Sequence, residues 1–203
     1  MFSFISKANS YTQSLHAPVS LQSENPISDT PLKEGDLAPD FTFSANNWLG
    51  LIPNVTSVRD IKLRDLYQKP LVVVFYSVYW NGYGINFLKR IEKLQQSIEE
   101  TANILIVTPE PPRKLLKAFN GYDFTFNFYH DPDQLLAEKF GVFSEEKPTW
   151  NLFSGIDTNI PLLSAYVISS AGQISFSHIE DFSGNLPESD LLTAVNEEGR
   201  LAS

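Results

Sequence analysis

Apolar residues in roughly the first 32 positions follow no sustained period. From Leu32 onward they do, and the period switches between two values. Leu71-Val72-Val73-Val74-Phe75-Tyr76 is a continuous apolar run. It predicts a strand covered on both faces, as at the centre of an α/β sheet. Phe87, Leu88, Ile91, Leu94 and Ile98 then recur at helical spacing, with Lys, Arg, Glu and Gln between them. That pattern predicts an amphipathic helix of about four turns. Asn103 to Val107 predicts a second buried strand. Pro109, Pro111 and Pro112 end its pairing and set up a helix from Arg113 to Phe119, closed near Gly121.

Phe124 to Tyr129 predicts a third strand. Asp131-Pro132-Asp133-Gln134 predicts a helix start, with a capping carboxylate and a proline at the first helical position. Ala165 to Ile168 and Gln173 to His178 predict two strands joined by Ser169-Ser170-Ala171-Gly172, a hairpin signal. Glu188 to Glu198 predicts a last helix. Upstream, Phe41 and Phe43 fall on one face of a short strand after a Pro-fixed turn, and Ile61 to Tyr67 predicts one helical turn. Ala45 to Val58 is a long loop whose Trp48, Leu49, Leu51 and Ile52 predict that it packs on something. The resulting order is strand, helix, strand, helix, strand, helix, hairpin, helix, which is an α/β arrangement.

This pattern divides the chain. Residues 1–32 are rich in Ser, Thr, Asn, Gln and Pro and predict an extension, flexible or docked on a partner through Phe2, Phe4, Ile5 and Tyr11. Residues 33–203 predict one domain. The N-terminus lacks a basic segment followed by an apolar core, and no apolar run is long enough to span a bilayer. A cytoplasmic protein is the default expectation.

Composition narrows the chemistry. The formal net charge is -9, and no run of Lys and Arg forms a stripe. No nucleic-acid partner and no membrane partner are expected, because both rely on basic patches. The chain contains no cysteine. Disulfides, thiolate metal sites, iron–sulfur clusters and thiol catalysis are therefore excluded together. Three histidines are present: His16, His130 and His178. His178 with Glu180 and Asp181 is the arrangement nearest to a metal site, but neighbouring strand and loop residues rarely converge. No metal and no cofactor are expected. Phosphate-loop, dinucleotide and nucleophile-elbow patterns are missing as well.

Phe75-Tyr76-Ser77-Val78-Tyr79-Trp80-Asn81-Gly82-Tyr83-Gly84 resembles the Phe-Tyr-x-x-x-Trp-Cys-Pro-Tyr-Cys stretch of peroxiredoxin-like proteins in the alkyl hydroperoxide reductase and thiol-specific antioxidant (AhpC/TSA, redoxin) family. Gly35-Asp36-Leu37-Ala38-Pro39-Asp40-Phe41 resembles the family's opening motif. Thr108-Pro109-Glu110, Tyr129-His130-Asp131-Pro132, Phe140-Gly141-Val142 and Ala165 through His178 extend the resemblance over about Leu32 to Val195. It implies a thioredoxin-like, peroxiredoxin-type three-layer sandwich with a central mixed β-sheet.

The resemblance also shows what is missing. Asn81 and Gly84 stand where the family has cysteines, and Gly82 where it has proline. Ser77 stands where this subgroup commonly has an arginine, Asn185 replaces another, and Leu163 takes the place of a cis-proline facing the site. A thiolate at a helix N-terminus is the family's nucleophile; Asn81 cannot act as one, so no catalytic residue is assigned.

What persists is a strand-to-helix turn whose N–H groups point outward, a potential site for an anionic or polar ligand. Ser77, Tyr79, Trp80, Asn81, Gly82, Tyr83, Gly84 and Leu163 are the candidate ligand-binding set, unless the aromatics simply fill the space. Two functions follow. One is a non-catalytic homologue acting as a binding or partner module, as a homodimer or paired with a related redoxin. The other is an oxidoreductase or antioxidant role through altered chemistry near Trp80 and Tyr83, or through a cysteine-bearing partner.

Overall fold

The computed structural model describes residues 20–21, 31–49, 60–98, 100–181 and 186–201. At its centre is a six-stranded mixed sheet. The predicted buried run forms β5 (Leu71–Phe75), every residue of which is buried. It pairs in parallel with β6 (Asn103–Thr108) on one side, Leu71 opposite Asn103 and Phe75 opposite Val107. On the other side it pairs antiparallel with β9 (Ser164–Ile168), Val73 opposite Tyr166. β10 (Ile174–Ile179) completes the predicted hairpin, and β7 (Asn127–His130) runs parallel to β6. β3 (Trp48–Leu49) closes the far edge against β7, giving the order β10-β9-β5-β6-β7-β3.

Side chains alternate between sheet faces, so register assigns the layers. Val73, Phe75 and Tyr166 share one face, where Phe75 and Tyr166 meet Phe140 at the end of α3 (Leu135–Lys139). Val74, Ala165 and His178 share the other, where His178 stacks on Phe87 of α1 (Asn81–Ile98). α1 buries Phe87, Leu88, Ile91, Leu94 and Ile98, the periodic stripe, and α2 (Pro112–Ala118) follows β6. It packs beside α4 (Glu188–Leu201), to which Arg90 is tied through Glu188 at 2.6 Å and the Leu186 carbonyl at 2.7 Å. Helix, sheet and helix are thus stacked in three layers, the expected thioredoxin-like sandwich.

Besides β3, which forms inside the segment expected to be a loop, three predicted elements differ. Ile61–Tyr67 is not one helical turn: Ile61–Lys62 is a strand, β4, paired with β2 (Thr42–Phe43), and only Leu63–Asp65 turns helically. Ile61 and Leu63 both reach the core, while Asp65 accepts the Lys62 N–H and tightens the turn. The third strand begins at Asn127 rather than Phe124. Phe124 packs on Phe119, Tyr122 and Phe126 instead of continuing the ladder. The helix expected at Pro132 starts at Leu135. Asp131 still caps it, accepting from the N–H groups of Leu135, Leu136 and Ala137 at 3.1, 2.9 and 3.3 Å across a turn that places Gln134 at φ 54°. Burial raises the Asp131 pKa above the usual carboxylate value, although the three N–H groups pull it down.

Of the N-terminal segment, Ser20–Leu21 forms β1, paired antiparallel with β8 (Phe153–Ser154). The anchors proposed in it, Phe2, Phe4, Ile5 and Tyr11, lie outside the described residues, as do His16, Leu51, Ile52 and Asn185. No helix among the described residues is long and apolar enough to cross a membrane.

Candidate functional site

Where β5 ends, the backbone makes one more sheet bond, Tyr76 N–H to the Val107 carbonyl at 2.9 Å. Ser77 then turns the chain. Its backbone is extended, its hydroxyl accepts the Tyr79 N–H at 3.2 Å, and a single 3-10 turn, Val78–Trp80, follows. Asn81 comes next with φ 53° and ψ -132°, and α1 begins. Only two described non-glycine residues have positive φ, and this is one of them. The turn places the N-terminus of an 18-residue helix beyond the C-terminal end of the central strand β5, and the helix's first N–H groups have no intrahelical acceptor.

The structure divides the candidate set by depth. Ser77, Trp80, Gly84 and Leu163 are buried; Gly82 and Tyr83 are exposed; Tyr79 and Asn81 are half-buried. Trp80 donates its indole N–H to the Pro161 carbonyl at 2.9 Å and meets Phe153 edge to face at 5.0 Å. Phe153 belongs to β8, where it is opposite Leu21 of β1 in register. Tyr79 is partly buried against the core and lies under the Lys114 ammonium, 3.9 Å from its ring centroid, a cation–π contact. Leu163 is buried just before β9, and its carbonyl accepts the Glu180 N–H at 2.8 Å.

Gly84 is closed. A Cβ there would lie 2.7 Å from Tyr76 Cε2 and 2.9 Å from Trp80 Cβ, both on buried side chains. A side chain at the position of the family's second cysteine does not fit this packing. Gly82, by contrast, faces open space. Gly84→Ala is therefore expected to destabilise the protein. Overpacking costs about 1–3 kcal/mol, against a gain of roughly 0.5–1 kcal/mol from replacing a helical glycine. Gly82→Ala should be neutral or slightly stabilising. Urea unfolding of the two variants measures the difference; equal midpoints would show that Tyr76 moves aside freely.

Beneath the turn is a group that the sequence reading did not place at the site. Glu110, buried, accepts the Ser77 hydroxyl at 2.7 Å, the Thr108 hydroxyl at 2.6 Å and the Val78 N–H at 3.2 Å. No cation lies within ion-pair distance of it among the described residues. Burial first, and the Glu110 charge second, raise the Tyr76 hydroxyl well above its ordinary pKa, so Tyr76 stays neutral. Thr108-Pro109-Glu110 was visible as a motif, but not that its carboxylate turns inward toward position 77.

The remaining candidates lie apart. His130 Nε2 is 3.2 Å from the Pro109 carbonyl. His178 Nε2 is 3.9 Å from Glu180. No group of three or more potential metal ligands converges among the described residues. A cleft of about 270 Å³ lies elsewhere, between β10 and α4, rimmed by Glu34, Asp190, Glu197 and Glu198.

Comparison with known proteins shows the family and the fold. The sequence model of the AhpC/TSA family matches residues 35–177. A putative peroxiredoxin bcp of Buchnera aphidicola is 26% identical over 146 residues, covering 71% of this chain and 83% of the relative. The putative peroxiredoxin bcp of Haemophilus influenzae is 23% identical over 127 residues, covering 62% and 76%. Among solved structures, Enterococcus faecalis AhpC superposes with a TM-score of 0.61 at 14% identity, over 85% of this chain and 95% of that one. Peroxidoxin BcpB from Mycobacterium tuberculosis gives 0.57 at 18%, over 84% and 97%.

Proposed function

Because the chain belongs to the AhpC/TSA family yet contains no cysteine, we propose that it is a non-catalytic homologue of thiol peroxidases that works as a binding module. Its partner on this reading is another redoxin-type subunit, met through the turn at Tyr79–Tyr83. The observation that carries the reading is the state of the two family cysteine positions. Asn81 has no redox couple, and the space at Gly84 is filled by Tyr76 and Trp80. The pocket side of the turn is packed, while Gly82 and Tyr83 remain exposed beside the Tyr79–Lys114 pair. A turn packed on its inner side that exposes Tyr83 suits contact with a surface better than enclosure of a small substrate.

The first test is enzymatic. Purified protein supplied with dithiothreitol is expected to consume hydrogen peroxide no faster than buffer does. Saturable turnover that survives a metal chelator overturns the non-catalytic assignment. The second test is association, by sedimentation of this protein mixed with a cysteine-bearing family member. A complex is expected. Tyr83→Ala should weaken it by about 2 kcal/mol if Tyr83 anchors the contact. Independent sedimentation at every concentration overturns the partner assignment and leaves the first result untouched.

A further inference from the structure

Asn81 is followed by glycine, and its backbone is held in an unusual state. Its φ of 53° and ψ of -132° match the first central position of a type II′ turn, the mirror of the (-60°, +120°) pair of type II. Glycine is the residue that normally takes this position; an L residue there is strained. At this ψ, the Asn81 Cβ nearly eclipses the Gly82 nitrogen about the Cα–C bond. That is the arrangement a five-membered ring requires if it is to contain Gly82 N and Asn81 C, Cα, Cβ and Cγ.

Two further observations bear on the same bond. The Asn81 side-chain oxygen is buried and has no hydrogen-bond partner among the described residues, so no bond to it there must break for the amide to turn. Gly82 is exposed, and nothing lies within 4 Å of where its Cβ would be. Its amide belongs to the first turn of α1, where the positive end of the helix dipole favours loss of the N–H proton.

We infer that Asn81 is a self-modifying residue: the Gly82 nitrogen attacks the Asn81 side-chain carbonyl, and the resulting ring opens to aspartate or isoaspartate. In the first step the Gly82 nitrogen loses its proton and bonds to Cγ, the Cγ–Nδ2 bond breaks, and ammonia leaves. In the second, water adds to one of the two ring carbonyls and its C–N bond opens. Attack at the side-chain carbonyl gives aspartate; attack at the main-chain carbonyl gives isoaspartate. No oxidant, metal or second protein takes part. Either product puts a carboxylate at the N-terminus of α1, where negative charge is favoured. Isoaspartate also adds a methylene to the main chain at the turn that carries Tyr83. The modification therefore changes the charge and shape of the exposed turn with time.

The chain contains its own control. Asn120-Gly121 is the same dipeptide, exposed and in a turn, but Asn120 does not have a positive φ. Folded wild-type protein is incubated at mildly alkaline pH, and both sites are followed by peptide mass spectrometry and isoaspartate detection. Asn81 is expected to react about tenfold faster than Asn120, the factor equivalent to about 1.4 kcal/mol. In urea the two rates should converge. Gly82→Ala should slow reaction at Asn81 and leave Asn120 unaffected. The inference is overturned if Asn81 reacts no faster than Asn120 in the folded protein, or if Gly82→Ala leaves its rate unchanged.

Discussion

Val73→Asp is expected to leave no soluble folded protein. Val73 is the middle residue of the central strand and is fully buried. Its neighbours in register are Leu105 on β6 and Tyr166 on β9, both buried. An aspartate there meets neither a cation nor a free N–H, since the flanking backbone groups are already paired in the ladders. A buried unpaired carboxylate either stays charged at a cost of several kcal/mol or is protonated, and even the neutral form loses the valine packing. A domain of this size has a total stability of roughly 5–15 kcal/mol, so one such change consumes most of it. Val73→Ala is the control. It removes apolar atoms without adding charge, should cost roughly 2 kcal/mol, and should leave a folded protein with a lower melting temperature. Soluble yield and far-ultraviolet circular dichroism of the two variants decide the matter. A soluble, folded Val73→Asp protein would mean that β5 is not the centre of the sheet.

The features readable beforehand were those set by period. The run at Leu71–Tyr76 and the stripe from Phe87 to Ile98 each repeat long enough to fix element type and buried face. Together with the hairpin at Ser169–Gly172 they determine the sandwich. Short elements were not readable. β4 is two residues, and Ile61 with Leu63 fits a strand, a turn or one helical turn equally well until the position of β2 is known. The start of α3 was displaced because Asp131 reaches across a turn to its N–H groups rather than sitting next to them. At the site, the motif located the turn and identified what replaces the cysteines. It could not show that Gly84 is closed, because that depends on where the Tyr76 ring points. Nor could it show the positive φ at Asn81, because Asn is only one of several residues that tolerate a turn start. Glu110 comes from the end of a different strand, and no local pattern records that its carboxylate folds back under Ser77.

Glu110→Ala is expected to lower stability by about 3 kcal/mol, more than any other single change at the turn. Two effects oppose each other. Removing a buried carboxylate that has no cationic partner among the described residues relieves a desolvation penalty. It also leaves three donors, the hydroxyls of Ser77 and Thr108 and the Val78 N–H, facing an empty space. Hydrogen bonds to a charged acceptor contribute about 1.5–3 kcal/mol each, and a buried donor left without a partner costs about 1–3 kcal/mol. The two hydroxyls can rotate toward other acceptors, whereas the backbone N–H cannot. The loss of donors' partners should therefore outweigh the relief, with part of the sum recovered by rotation. Glu110→Gln separates the two effects. Its carbonyl oxygen can still accept the Val78 N–H, its amide can donate to the hydroxyl oxygens, and the buried charge is gone. It should fall within about 1 kcal/mol of wild type. Urea denaturation gives both differences. If Ala and Gln are equally destabilising, charge rather than hydrogen bonding holds the turn. If Ala is harmless, Ser77 and Val78 are held by the sheet and helix alone.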